Sequence, residues 1–136
     1  MNITLTSQDN SQVFIIPVVP PNLPIKSGSN NETFSSIDKD ITIIGNPVLR
    51  EFSLNSFFPV NKNYPFVKNG YEPDGWKYVS FIESAKNSKQ PVRVVVTTNN
   101  KYTVLNILMS IESFIFSADK VGDIQYELSL KEFNNI

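Results

Sequence analysis

The chain has no cysteine and no histidine among its 136 residues. The first absence removes disulfides, thiolate nucleophiles and Cys-ligated metals. The second removes the side chain most used for proton transfer near neutral pH and for metal ligation. Catalysis would therefore fall to carboxylates, lysine, tyrosine or hydroxyls. Only five glycines are present, and they are isolated. Gly28-Ser29-Asn30 lacks the lysine and the helix that follow a phosphate cradle, and no nucleophile elbow or other catalytic signature occurs. Long apolar runs are missing as well: Val13 to Val19 is broken by Pro17 and falls far short of the ~20 residues of a membrane-spanning helix. Met1 to Asn10 lacks the basic-then-apolar pattern of a secretory signal, so a cytosolic start is expected. Neither charge sign dominates, with 12 basic and 13 acidic residues. The lysines are scattered from Lys26 to Lys131, which argues against a nucleic-acid surface.

What is present suits one domain. A chain of this length buries roughly two-thirds of the surface that its unfolded form exposes, and needs no disulfide or metal to fold. No internal repeat or composition shift divides it. The expected fold is mainly antiparallel β, a barrel or sandwich, with one helix at about residues 75–87. Residues 1–11 are polar and read as a flexible terminal arm. Val13 to Val18 is the first strand, followed by prolines at 17, 20, 21 and 24 that confine the chain to edge-like geometry. Leu23 to Ser27 reads as a short strand, and Glu32 to Ile37 with Ile41 to Ile44 as a hairpin or bent strand pair around Asp38-Lys39-Asp40. Gly45-Asn46-Pro47 turns the chain into Val48 to Phe58, where Val48, Phe52, Leu54 and Phe58 share one face.

Pro59 to Gly75 holds no period and is the longest loop, well beyond the usual four to six residues. Asp74 is placed to cap the helix, in which Trp76, Val79, Ile82 and Ala85 or Lys86 recur at helical spacing. Val92 to Thr98 is the most β-prone run. In Tyr102 to Ser117, Leu105, Ile107, Met109 and Ile111 alternate with polar residues. Ile124, Tyr126, Leu128 and Leu130 alternate without interruption with Asp123, Gln125, Glu127, Ser129 and Lys131, which predicts a strand with one buried face.

Paired acids occur at Asp38 and Asp40, at Glu72 and Asp74, and at Asp119 and Asp123. Two carboxylates supply too few oxygens for a cation and no calcium-loop pattern surrounds Asp38 and Asp40, which read as a solvated turn; the other two pairs have the same weakness, and Asp74 is better used as a cap. No carboxylate pair is singled out for hydrolysis. The chain reads as a non-enzyme with no cofactor, metal or small-molecule substrate. The loop aromatics Phe57, Phe58, Tyr64, Phe66, Tyr71, Trp76 and Tyr78 admit three uses: covering the core, anchoring a protein contact, or stacking on sugars or bases.

In chain order, Phe14-Ile15-Ile16-Pro17-Val18-Val19-Pro20-Pro21 and Ser27-Gly28-Ser29-Asn30-Asn31-Glu32-Thr33 are followed by Ile44-Gly45-Asn46-Pro47 leading to Ser56-Phe57-Phe58-Pro59. Lys89-Gln90-Pro91-Val92-Arg93 and Gly122-Asp123-Ile124-Gln125-Tyr126-Glu127-Leu128-Ser129-Leu130-Lys131-Glu132-Phe133 complete the series. From about residue 13 to 133, this series resembles the N-terminal domain of LysM-containing tail proteins of contractile phages and defective prophages. Order and spacing carry the resemblance, since no single motif is catalytic.

The resemblance implies a tail-tube-like barrel or sandwich, arranged as a six-fold ring at the baseplate or tube–baseplate junction. It also implies partners among tube, hub and tape-measure proteins and copies of the chain itself, with no nucleic-acid specificity and no membrane. The expected location is the bacterial host cytoplasm during assembly and then the particle. The peptidoglycan-binding LysM module is not expected within these residues, so cell-wall binding is not carried over. Val13, Phe14, Ile15 and Ile16, with Phe57, Phe58, Tyr64, Phe66 and Tyr71, are the candidate protein contacts. The rival reading is a small sugar- or cell-wall-binding β module using Trp76, Tyr71 and Tyr64.

Overall fold

The computed structural model describes residues 1–29, 31–35, 40–45, 48–62, 64–65, 67–68 and 70–133. In chain order the elements are β1 (Asn2–Ser7), β2 (Val13–Ile15), β3 (Glu32–Ser35), β4 (Asp40–Ile43), β5 (Glu51–Phe58), α1 (Gly75–Asn87), β6 (Val92–Thr97), β7 (Thr103–Ala118) and β8 (Ile124–Glu132). The expectation of a mainly β fold with one helix at 75–87 is borne out. Six antiparallel strands in the order β2-β1-β6-β7-β8-β5 form a sheet curled into a half-barrel, and β3 pairs with β4 in a separate ribbon.

Alternation builds the inner face. Ile124, Tyr126, Leu128 and Leu130 of β8 are buried, as are Val92, Val94 and Val96 of β6 and Phe52, Leu54 and Phe58 of β5. Their polar neighbours turn outward, as a period of two requires. β7 is long enough to serve two partners. Its first half pairs with β6 and its second with β8, over the register Met109↔Glu132 to Ala118↔Ile124. The ladder skips between Ile111 and Ser113, leaving Glu112 as an extra residue. Such a bulge shifts which residues face inward. Leu105 and Met109 point into the core before it, and the even-numbered Phe114 does so after it.

The flexible arm expected at residues 1–11 is corrected. β1 lies inside the sheet between β2 and β6, with Ile3 and Leu5 buried. Asn2, Thr4 and Thr6 gave the segment its polar average, yet they alternate with two core residues. The strand expected at Val13 to Val18 is also shorter, β2 ending at Ile15. Past Ile15 the chain keeps one strand-like bond, from the Ile16 N–H to the Ile3 carbonyl at 2.9 Å, before Pro17 removes the next donor. Leu23 to Ser27 forms no strand, only an isolated pairing of Lys26 with Glu51. The hairpin expected around residues 32–44 is present as β3 and β4 in the register Glu32↔Ile43 to Ser35↔Asp40. Asp38 and Lys39, with the Asn46-Pro47 part of the next turn, lie outside the described residues.

Helix α1 begins as expected, the Asp74 carboxylate accepting from the Trp76 N–H at 3.2 Å. Its buried face keeps the expected Val79 and Ile82 but not Trp76. Gly75, Tyr78, Val79, Phe81 and Ile82 are buried, whereas Trp76 is 42% exposed. The start of the helix is pressed against the end of β5. A Cβ added to Gly75 would lie 2.7 Å from the Pro59 carbonyl oxygen and 3.0 Å from Phe58 Cβ. Alanine is the better helix former by about 1 kcal/mol, but backbone cannot yield as a flexible side chain does. Gly75→Ala is therefore expected to destabilise by about 1–3 kcal/mol, read from the urea unfolding midpoint. An unchanged or raised midpoint contradicts the close approach.

Candidate protein-contact surface

The loop after β5 is held as a strap. Val60 pairs with Asp74, and the Asn61 N–H donates to the Pro73 carbonyl at 2.8 Å, closing its neck. On one side the strap is bound to the β7–β8 turn through Asp123, whose residue surface is only 3% exposed. The Tyr64 hydroxyl donates to Asp123 Oδ2 at 2.6 Å, the Val60 N–H to Oδ1 at 3.3 Å, and Lys62 Nζ lies 3.3 Å from Oδ1. Lys62 Nζ also donates to the Val121 carbonyl. On the other side the Tyr78 hydroxyl donates to the Ile15 carbonyl at 2.6 Å and accepts from the Glu72 N–H at 2.8 Å. The Lys68 N–H reaches the Pro17 carbonyl at 3.0 Å. A buried carboxylate and a buried phenol with such partners fix the loop without a β-ladder.

The paired acids resolve in the same way. Asp119 accepts from the Val121 and Asp123 amides and from Gln125 Nε2, at 3.0, 2.9 and 3.1 Å. Asp74 caps the helix, and Glu72 Oε1 accepts from the Asp74 N–H at 3.3 Å.

The nominated contact residues that are described separate into three groups. Ile16 and Phe58 are fully buried and are corrected to core residues: within this chain neither side chain reaches the surface. Phe14 is half-buried between Tyr78 and Phe81, with ring centroids 5.2 and 4.7 Å away. Ile15 and Tyr71 are half-buried, and the Tyr71 hydroxyl donates to the Lys62 carbonyl at 3.1 Å. Phe57 and Tyr64 are half-buried and meet edge-on at 5.8 Å. Val13 stands exposed at the sheet edge. Phe66 lies outside the described residues.

Phe58 instead centres a chain of rings that crosses the interior. It stacks on Tyr126 at 4.0 Å and on Tyr78 at 4.6 Å. From Tyr78 the series passes to Phe14 and Phe81, and from Tyr126 to Phe114 at 6.3 Å, Phe116 and finally Trp76. The last two rings meet edge-on at 6.4 Å and reach solvent. Beside them Ile115, on the outer face of β7, is 63% exposed. This apolar end of β7 was not among the nominated residues. Its signal is the run Phe114-Ile115-Phe116: three consecutive apolar residues in a strand put an apolar side chain on each face. No ring contact among the described residues joins Trp76 to Tyr64 or Tyr71.

Titration follows from these contacts. Hydrogen bonds from Arg50 hold the Glu132 carboxyl below its ordinary 4.5, and Gln125 with two backbone amides lowers Asp119 below 3.8. Hydrogen bonds from the Ser11 hydroxyl and amide and from the Ser7 hydroxyl bring Asp9 to about 2. Burial pushes the Tyr78 phenol up to about 12. Burial also pushes Tyr126 upward, while the facing Ser56 hydroxyl, which donates to the Val18 carbonyl at 2.7 Å, pulls it part of the way back. The unfolded carboxylates take up protons first, so stability is lost as pH falls from about 4.5 toward 2. The unfolded tyrosines lose protons first, so stability is also lost as pH rises from 10 toward about 12. With no histidine to titrate between, the unfolding midpoint is expected to be flat from about pH 5 to about pH 9. A urea series across pH checks this, and a slope within the plateau contradicts it.

Among the described residues no helix is long and apolar enough to cross a membrane. In comparisons with known proteins, no family model and no curated protein matches the chain.

Proposed function

We propose that this chain is a non-enzymatic structural subunit of a contractile phage tail or phage-tail-like particle, placed at the baseplate or the tube–baseplate junction. The order and spacing of the motifs from residue 14 to residue 133 support that reading through their resemblance to tail proteins. The structural observation in its favour is the β3–β4 ribbon. Lys26 and Glu51 exchange backbone bonds of 2.8 and 3.2 Å, and the Val48 N–H donates to the Gly28 carbonyl at 2.9 Å. The pairing then resumes in β3 and β4, and Ile44 beside it is 81% exposed. A two-stranded ribbon is marginal by itself in water, whereas ribbon edges that pair with neighbouring subunits gain main-chain hydrogen bonds.

Assembly is then the mechanism. The half-barrel provides a rigid frame, while the ribbon and strap supply contacts to tube, hub or tape-measure proteins and to further copies in a ring. The chain works first in the bacterial host cytoplasm and then in the particle. Electron microscopy and mass spectrometry of purified particles test this: the subunit is expected at the tube–baseplate junction, and its absence from purified tails rejects the reading. Replacing residues 31–45 by a Gly-Ser linker is expected to block incorporation while preserving the fold. The sugar-binding alternative rests on exposed Trp76. A glycan screen with no signal, or one unchanged in Trp76→Ala, rejects it.

A further inference from the structure

The second half of β7 has β8 on one side and, among the described residues, no strand on the other. β6 starts at Val92, opposite Met109, α1 packs on β7 with Trp76 against Phe116, and among the described residues no backbone hydrogen bond from another element reaches the far edge of residues 113–117. Proteins blunt open edges with charges, prolines or very short strands. Here the edge runs Ser113-Phe114-Ile115-Phe116-Ser117 without charge or proline, and every residue but Phe114 is exposed.

These five residues read the same in both directions. In an antiparallel pair, directly opposite residues share a face. Two copies placed about a two-fold axis at Ile115 therefore set Ser113 against Ser117, Phe114 against Phe116, and Ile115 against itself. The Phe side chains meet on the inner face and the Ile and Ser side chains on the outer one, so every pair is like with like. The flanking charges complement one another. Neither Glu112, which accepts from the Ser110 hydroxyl at 2.8 Å, nor Lys120 makes an ion pair among the described residues, and the antiparallel arrangement sets Glu112 of one copy opposite Ala118, two positions from Lys120, of the other. Asp119 does not oppose this, since its carboxylate is held by the Val121 and Asp123 amides and by Gln125.

We infer that two copies of this chain pair edge to edge through residues 113–117 of β7, joining their half-barrels into one continuous sheet about a two-fold axis. The contact is isologous, unlike the head-to-tail contacts of a ring, and it does not depend on the tail-subunit reading. It covers the apolar run of β7 and directs the open backbone groups to a partner of matching register.

Sedimentation of the isolated chain over a range of concentrations is expected to reach twice the 15.4 kDa chain mass. Ile115→Lys places like charges directly opposite each other and is expected to abolish the dimer with an unchanged far-UV spectrum. A second measurement stands apart from that variant's folding. Directly opposite residues lie ~4.5–5.5 Å apart, within the ~4.4–6.8 Å that a disulfide spans. With no native cysteine, oxidised Ile115→Cys is expected to form a covalent dimer, and Ser53→Cys on β5 to remain monomeric. A monomer at every concentration, a dimer that persists in folded Ile115→Lys, or failure of Ile115→Cys to cross-link overturns the inference.

Discussion

Removing residues 1–7 is expected to abolish cooperative folding. β1 is hydrogen-bonded on both sides, to β2 over Thr4↔Ile15 to Thr6↔Val13 and to β6 over Asn2↔Thr97 to Ser7↔Val92. Its loss strips the outer edge of β6 and takes from three-residue β2 its one strand partner among the described residues. It also removes buried Ile3 and Leu5, each worth about 1.5–3 kcal/mol of burial. Against a net stability of about 5–15 kcal/mol for a domain, losing both side chains and a whole ladder leaves too little. The check is a thermal melt of the truncated chain by circular dichroism. A sharp transition at the full-length midpoint would mean that β1 is the loose arm its average polarity suggests.

The second large effect is expected at Phe58. Its ring has no exposed surface and lies between Tyr78 and Tyr126 in nearly parallel stacks. Phe58→Ala removes the central ring and opens a cavity whose walls belong to β8 and α1, elements fixed by their own hydrogen bonds. Such a site collapses poorly, so the cost is expected at about 3–5 kcal/mol. For 136 residues that corresponds to a fall in melting temperature of roughly 10–18 °C. Phe57→Ala is the matched control: this ring is half-buried and meets Tyr64 edge-on. Its loss should be less than half as large, and equal losses at the two positions would contradict the placement.

The contrast between these neighbouring phenylalanines shows where sequence reasoning reaches. The alternation of Phe52, Leu54 and Phe58 marks one face of β5, and that of Ile124 to Leu130 marks β8. Asp74 marks the start of α1. Each is a local pattern enforced by the geometry of its own element. β1 also alternates, but two apolar residues among polar ones give a short signal that mean polarity hides. The bulge at Glu112 has no local signature, because it is the pairing with β8 that determines which residue is extra. In α1, Trp76 and Tyr78 are both large and aromatic. Only the position of β7 decides that Tyr78 enters the core while Trp76 rests against Phe116.

The candidate contact surface was legible in its length and its composition, but not in its connections. Pro59 to Gly75 lacks a period because its order comes from single bonds to Asp123 and Pro17, both distant in sequence, and to the Tyr78 hydroxyl, which itself reaches Ile15. Burial likewise separates Ile16 and Phe58 from Val13 and Phe57, although composition alone groups them. The exposed end of β7 could have been recognised from Phe114-Ile115-Phe116. Its palindromic order becomes meaningful once the strand is known to lie at an open edge.

Trp76 is the single tryptophan of the chain, and it terminates the chain of rings beside that edge. The molecule therefore carries its own optical reporter at the place where a second copy would dock. Covering the edge should move tryptophan emission to shorter wavelength while the backbone spectrum stays constant. Unfolding should change both signals together. Titrating protein concentration while watching emission from one indole separates docking from folding without any added label.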